Sequence, residues 1–373
     1  YEIDKVLTAF DYYIANAETI LAAKVVKSNA SKSYIAFEPL GVIFSIMPWN
    51  FPFWQVFRFA VPSLMAGNVT VLKHAPNVPQ CAEAIAKLFA EADIPKSLLL
   101  TYFLSNEDAA KVIADSRIAG VSFTGSDTAG AIIAGLAGAN LKKAVVELGG
   151  NDAFIVLDDA DLDYAISEAI RSRSINSGQS CNAAKRFIVT EKNYDEFLQK
   201  LIEKVRALKV GNPTEPDTQV GPLARKDLAE KVRKQISDTV AEGAKVFANN
   251  DILFTSENFV APTVLANATS TMTAFNEEIF GPVWSVIKAN DVQHAIELAN
   301  ATQFGLGASI WTRDIAFAET LVPEIQSGNV FINDIVKSDA RLPFGGIKRS
   351  GFGRELSEFG MLEFVNVKTV YIH

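Results

Sequence analysis

Three residues of this 373-residue chain have types and settings suited to chemistry on a carbonyl carbon. Cys181 closes the run Ser177-Gly178-Gln179-Ser180-Cys181, just after an amphipathic helical stretch. An isolated cysteine reads as a small buried hydrophobe. As a nucleophile it needs a lowered pKa or a nearby base, together with an oxyanion donor. Glu147 ends the apolar run Ala144-Val145-Val146 and precedes Leu148-Gly149-Gly150. A carboxylate there is costly to bury without a partner, so it is expected to face a cleft. Asn50, in Pro48-Trp49-Asn50-Phe51-Pro52, ends another apolar run. Its amide could donate to an oxyanion, or could simply close an Asx-turn.

Other chemistries are excluded or unsupported. The only cysteines, Cys81 and Cys181, lie far apart, which rules out a disulfide scaffold and any Cys-x-x-Cys site. His74, His294 and His373 are equally dispersed and suggest no metal centre. There is no Gly-x-Gly-x-x-Gly, no Gly-x-Ser-x-Gly and no His-Glu-x-x-His. Gly125 and Gly130 have P-loop spacing, but Ala131-Ile132 follow where Lys-Ser/Thr is required. What remains is a strand ending in Phe123-Thr124-Gly125-Ser126 before a helix, either a phosphate-binding helix start or an ordinary strand–turn–helix junction.

The elements that must position these residues follow from composition and pattern. With 49% hydrophobic and 21% charged residues the chain is globular and long enough for about two domains. Its net charge of −8 attracts neither nucleic acid nor an anionic membrane. The apolar stretch 42–72 contains Asn50, Gln55, Arg58, Asn68 and three prolines, so it is read as strand, loop and helix rather than a membrane span. Strands are expected at 41–46, 69–73, 97–103, 120–123 and 143–148, alternating with helices at 54–65, 79–92, 107–115 and 128–136. That alternation implies βαβ units and a parallel sheet, with ligands at the carboxyl ends of its strands. A second α/β pattern follows: strands at 153–157 and 187–190, helices at 161–172 and 194–208, and further elements at 227–242, 291–299, 307–311 and 329–333. A reducing, cytoplasmic setting is expected. Tyr1 is not expected to be the native start, and no signal peptide is visible.

Six ordered motifs identify a resemblance: residues 48–52, 123–126, 147–150, 178–181, Glu277-Glu278-Ile279-Phe280-Gly281-Pro282 and Pro343-Phe344-Gly345-Gly346. In order and spacing they resemble the aldehyde dehydrogenase superfamily over essentially the whole chain. The resemblance implies two doubly wound α/β domains and a small β oligomerisation arm. The cofactor domain would comprise 1–20 and 40–149, the catalytic domain 150–349, and the oligomerisation strands 21–39 and 364–373. Family members carry a longer N-terminal segment, so the chain is expected to be a fragment. A homodimer or homotetramer is implied.

The resemblance also implies roles. Cys181 would attack the aldehyde, Asn50 and the Cys181 amide would hold the oxyanion, and Glu147 would activate the water that hydrolyses the thioester. Lys73 and Glu278 would hold ribose hydroxyls, Phe280 would pack on the nicotinamide ribose, and Ser126 with its helix would meet the pyrophosphate. Pro48, Trp49, Gly125, Leu148 and Gly149 complete the cofactor set. Pro76 stands where NAD-preferring members place an acid, so both NAD and NADP are admitted. Further motifs resemble bacterial succinate-semialdehyde dehydrogenases. Arg58 would hold the substrate carboxylate with Trp54 and Ser338, and Arg341 is a further candidate. The bland reading of Arg58 is a structural ion pair, and that of Arg341 a solvated loop charge. Ile175 departs from members that carry a second substrate arginine there. Uncharged or aromatic aldehydes, a non-catalytic paralogue and a cofactor-free thioester hydrolase are the alternatives.

Overall fold

The structure, a computed structural model, describes residues 2–248 and 256–373. The chain divides into two compact units, one formed by Tyr1–Leu148, Ser338–Gly345 and Gly351–His373, the other by Gly149–Lys337 and Gly346–Ser350. Residues 338–345, expected in the catalytic domain, fall in the first unit.

In the first unit a six-stranded sheet runs in the order Gly351–Phe352, Lys143–Glu147, Ile118–Thr124, Val42–Met47, Val69–His74, Leu99–Thr101. All neighbours are parallel except the Gly351–Phe352 edge. From Val42–Met47 the chain steps outward through Val69–His74 to Leu99–Thr101. It then returns to the other flank of Val42–Met47 with Ile118–Thr124. This reversal makes a switch point, where the loops leaving two adjacent strands diverge and open a crevice. The register pairs Met47 with His74, Ile46 with Phe123 and Thr124 with Glu147. Residues 48–50, Lys73, Gly125-Ser126 and Glu147 therefore share one edge of this sheet.

The expected strand at 97–103 is shortened to Leu99–Thr101, an edge strand beyond which Tyr102 and Phe103 stand exposed. Helix Glu2–Leu21 was not anticipated, although Val6, Ala9, Tyr13 and Ala17 form its buried stripe at helical spacing. Lys24–Val25, Lys32–Pro39 and Val365–Ile372 form a separate three-stranded antiparallel sheet.

The second unit holds a seven-stranded sheet ordered Lys245–Ala248, Thr263–Ala266, Val283–Ala289, Arg186–Thr190, Ala153–Val156, Gly307–Trp311, Asn329–Ile332. Only the Lys245–Ala248 edge is antiparallel. Both faces are apolar. Ala153 and Ile155 join one core with Ile188, Ile287 and Ile310, while Phe154 and Val156 join another with Phe187, Trp284 and Trp311. Successive side chains of a strand point to opposite faces, so a strand buried on both sides must be apolar throughout. Among the described residues no helix is long and apolar enough to cross a membrane.

Gly351 is the closest backbone approach at the Glu147 strand. Its φ is +113°, and a Cβ there would lie 1.9 Å from the Val146 carbonyl oxygen. Gly351→Ala is expected to destabilise the protein by about 3 kcal/mol or more. Gly135, exposed within helix Asp127–Ala139 with open space around it, is the control. Gly135→Ala should stabilise by roughly 0.5–1 kcal/mol. Urea unfolding of the two variants checks both signs.

Candidate active site

In the first unit, the turn after strand Val42–Met47 carries Pro48, Trp49 and Asn50 into helix Trp54–Met65. That helix has no cap of its own. Glu2, at the start of the first helix, supplies one: its Oε1 accepts the backbone N–H groups of Phe53 at 2.8 Å and Trp54 at 2.7 Å. A carboxylate at a helix N-terminus satisfies orphan donors and complements the helix dipole. Lys5, one turn on, donates to Ser338 Oγ at 2.6 Å, and its ammonium lies 4.6 Å from the Trp54 ring centroid. Trp54 and Ser338, two expected substrate residues, thus share a partner that no motif singled out.

Arg58 belongs to a buried ion-pair cluster. The guanidinium is 2% exposed and lies between two buried carboxylates. Its Nη2 is 3.1 Å from Glu147 Oε2, and its Nε is 2.5 Å from Glu355 Oε2. The Phe344 ring covers it, with Cζ 5.2 Å from the ring centroid. A guanidinium so placed orients Glu147. Burial, opposed by Arg58 and reinforced by Glu147, pushes the Glu355 carboxyl up to about 7. Arg341 is exposed and makes a two-pronged pair with Asp339, at 2.8 and 2.6 Å. This pairing holds Asp339 down at about 2.

Lys73, next to last in its strand, is buried, and its ammonium makes no hydrogen bond or ion pair among the described residues. Desolvation lowers its pKa from the usual lysine value. A cation kept from water without a protein partner suits a polar or anionic ligand. Pro76 is exposed and adds neither a charge nor a hydroxyl. Ser126 caps the 13-residue helix Asp127–Ala139, its Oγ accepting the Ala129 N–H at 3.3 Å. That cap leaves the helix start presented at the sheet edge, and Gly125 beside it is only half-buried. These features fit the phosphate and ribose of a dinucleotide.

In the second unit, Cys181 follows three consecutive left-handed residues, Asn176 (φ 51°), Ser177 (φ 54°) and Gly178 (φ 78°). Two of the three are not glycine, a strained arrangement that its surroundings must enforce. They do so from several sides. Ser177 Oγ donates to the Gly221 carbonyl and accepts the Gly221 N–H. Gln179 Nε2 donates to the Asn176 carbonyl and its Oε1 accepts the Ala224 N–H. Ile175 opens this turn packed against the apolar core, which leaves no polar side chain at that position. Cys181 itself is half-buried and not in a disulfide.

Lys185 ties this loop to Glu278. It is 2% exposed and donates to the Ser180 carbonyl at 3.0 Å and to the Cys181 carbonyl. Its Nζ also pairs with Glu278 Oε1 at 3.1 Å, which accepts the Gly150 N–H at the same distance. Gly149 permits this approach, since a Cβ there would meet Glu278 Oε2 at 2.3 Å. Buried Arg173 fixes the segment bearing Glu278 and Phe280, donating to the carbonyls of Val283 and Ile279. Lys185 and Arg173 were missed because a cation bonded to carbonyls leaves no sequence motif. Among the described residues no group of three or more His, Cys, Asp and Glu is placed to hold a metal.

Residues 1–370 match the aldehyde dehydrogenase family. The chain is 49% identical, over all of its length and 82% of the relative's, to a Synechocystis sp. protein named "Probable succinate-semialdehyde dehydrogenase", with NADP+ in its name. It is 47% identical to succinate-semialdehyde dehydrogenase 1 of Mycobacterium tuberculosis, also named for NADP+, over 99% of this chain and 81% of that one. The crystal structure of a succinic semialdehyde dehydrogenase from Streptococcus pyogenes in complex with NADP+ aligns with a TM-score of 0.97 at 39% identity. That alignment covers 100% of this chain and 82% of the other.

The Arg58 cluster makes stability depend on pH. Glu355 binds its proton more tightly folded than unfolded, so the folded state is favoured below the ordinary glutamate pKa of 4.5 and loses that advantage as pH rises to about 7. Glu355→Gln should flatten this fall, which amounts to roughly 3 kcal/mol at most. Urea unfolding of wild type and variant between pH 5 and 8 shows whether the two curves converge in acid. In the other unit, Lys185→Met on a Cys81→Ser background should slow alkylation of Cys181 at least severalfold, because a nearby ammonium favours the thiolate. The iodoacetamide rate at pH 7.5 is the measurement.

Proposed function

The chain belongs to the aldehyde dehydrogenase family, and from that premise we propose that it oxidises succinate semialdehyde to succinate with NADP+. The observation that carries this reading is the retention of Cys181, Glu147 and Asn50 in their motifs, in a chain so close to relatives named for that reaction. Pro76 supports NADP+, because no carboxylate there repels a 2′-phosphate; NAD is accepted on the same ground but bound less tightly.

The roles assigned are these. The Cys181 thiolate adds to the aldehyde carbon, and the oxygen becomes an oxyanion that takes hydrogen bonds from the Asn50 amide and the Cys181 backbone N–H. When bound, NADP+ accepts the hydride that leaves this tetrahedral carbon, and a thioester on Cys181 remains. Glu147, oriented by Arg58, removes a proton from water as it attacks the thioester, releasing the acid and the thiol. Lys73, Glu278, the Ser126 helix start and Phe280 would hold the dinucleotide, with Pro48, Trp49, Gly125, Leu148 and Gly149 lining its path. Trp54 and Ser338 are assigned to the substrate.

A homodimer or homotetramer belongs to the same proposal. It is supported by exposed Val25, Val367, Tyr371 and Ile372 on the three-stranded sheet, an apolar surface with strand edges to pair. Cytoplasmic residence is supported by a sequence with only two cysteines, neither in a disulfide.

The test is cofactor reduction at 340 nm with succinate semialdehyde, butyraldehyde and benzaldehyde, each with NADP+ and NAD+. We expect kcat/KM for the carboxylated aldehyde to exceed the others by about tenfold or more, highest with NADP+. Cys181→Ala should abolish turnover. Glu147→Gln should retain a first-turnover burst while steady-state turnover falls roughly a hundredfold. Preference for a neutral aldehyde defeats the substrate assignment, and turnover surviving in Cys181→Ala defeats the mechanism.

A further inference from the structure

We infer that His74 is a positioning residue for the turn that carries Asn50. The inference rests on the reading of Asn50 as the oxyanion donor and names what holds that donor in place. An amide stabilises an oxyanion only if its N–H is aimed before the charge develops, so the backbone that bears it must be fixed. Residues 48–52 are neither strand nor helix, and no sheet ladder fixes them.

His74 reaches this turn from the neighbouring strand. The parallel register sets it opposite Met47, the last strand residue before Pro48. Its ring is buried, and two contacts assign its tautomer. The Ala75 backbone N–H, a donor only, lies 2.8 Å from Nδ1, so Nδ1 must accept. Nε2 then carries the hydrogen and donates it to the Pro52 carbonyl, also at 2.8 Å. Burial, joined by the charge of Lys73, outweighs the pull of the Pro52 and Met47 carbonyls and lowers the ring's pKa from the usual 6.5. The ring is thereby kept in this neutral form.

The other side of the turn is held by different groups. The Phe51 and Phe53 carbonyls accept the N–H groups of Gln55 and Phe57, and Glu2 accepts those of Phe53 and Trp54. These bonds fasten the turn to the helix that follows it. The His74–Pro52 bond instead fastens it to the sheet, two residues from Asn50. The same strand carries Lys73, so the oxyanion donor and the buried ammonium assigned to the cofactor are kept in one register. A planar ring bonded at both nitrogens leaves little freedom between strand end and turn.

The experiment compares His74→Asn, whose Oδ1 can accept from Ala75 but which is too short to reach Pro52, with His74→Gln, whose Nε2 can donate to Pro52. Rates are expressed per folded protein, the folded fraction being read from near-UV circular dichroism. His74→Phe, which fills the ring's volume but makes neither bond, repeats the test should the shorter side chain not fold. His74→Asn should lower kcat about tenfold or more for every aldehyde, with KM for NADP+ within a few-fold of wild type, and His74→Gln should recover most of the rate. In a double-mutant cycle, Asn50→Ala should cost roughly a hundredfold alone, and His74→Asn should add little to that loss. A merely weakened fold lowers the folded fraction and leaves the rate per folded molecule at the wild-type value, and that result overturns the proposal. So does a raised KM for NADP+ at unchanged kcat, which puts the role of His74 at Lys73. If Asn50→Ala slows turnover and His74→Asn multiplies that loss in full, only the His74 assignment falls. If Asn50→Ala turns over like wild type, the oxyanion reading falls first and this inference with it.

Discussion

One guanidinium, sealed from water and shared by two carboxylates, sets the geometry of the first unit's site. Arg58, Glu147 and Glu355 come from a helix, a strand end and the segment after Gly353, three stretches with no local reason to meet. Burying such a group gains little stability, because desolvation offsets most of the attraction. What it fixes is position. The Glu147 carboxylate is held by Arg58, and the first turn of the same helix carries Trp54. Phe344, paired through its backbone with Glu355, closes over the guanidinium.

The second unit uses buried cations differently. Lys185, Arg173 and Arg186 donate mainly to backbone carbonyls. They act as internal splints: each holds irregular chain that no sheet ladder can satisfy. The left-handed turn before Cys181 needs such support, since its φ angles are unfavourable for Asn176 and Ser177. Lys185 also joins Glu278 to the Cys181 carbonyl, so that carboxylate and the Cys181 loop share one side chain.

Much of this was legible from residue pattern. The strands bearing Asn50, Lys73 and Glu147 are short apolar runs with clear ends, and Asp161 and Ser126 mark helix starts by their capping chemistry. The βαβ units and parallel sheet followed from that alternation. Strands Thr263–Ala266 and Val283–Ala289 were passed over, although their β-branched and apolar runs were a usable signal. The fate of Arg58 was not legible. Whether an arginine eight residues beyond Asn50 meets a ligand or a carboxylate depends on Glu355, nearly three hundred positions away, and spacing carries no trace of that partner. Lys5 was hidden for the same reason, its partners being Trp54 and Ser338.

The Arg58 cluster also sets the charge around Glu147. Two carboxylates around one guanidinium carry a net negative charge when both are ionised, and none when Glu355 keeps its proton. The proton on Glu355 therefore decides how much of the guanidinium's charge Glu147 meets.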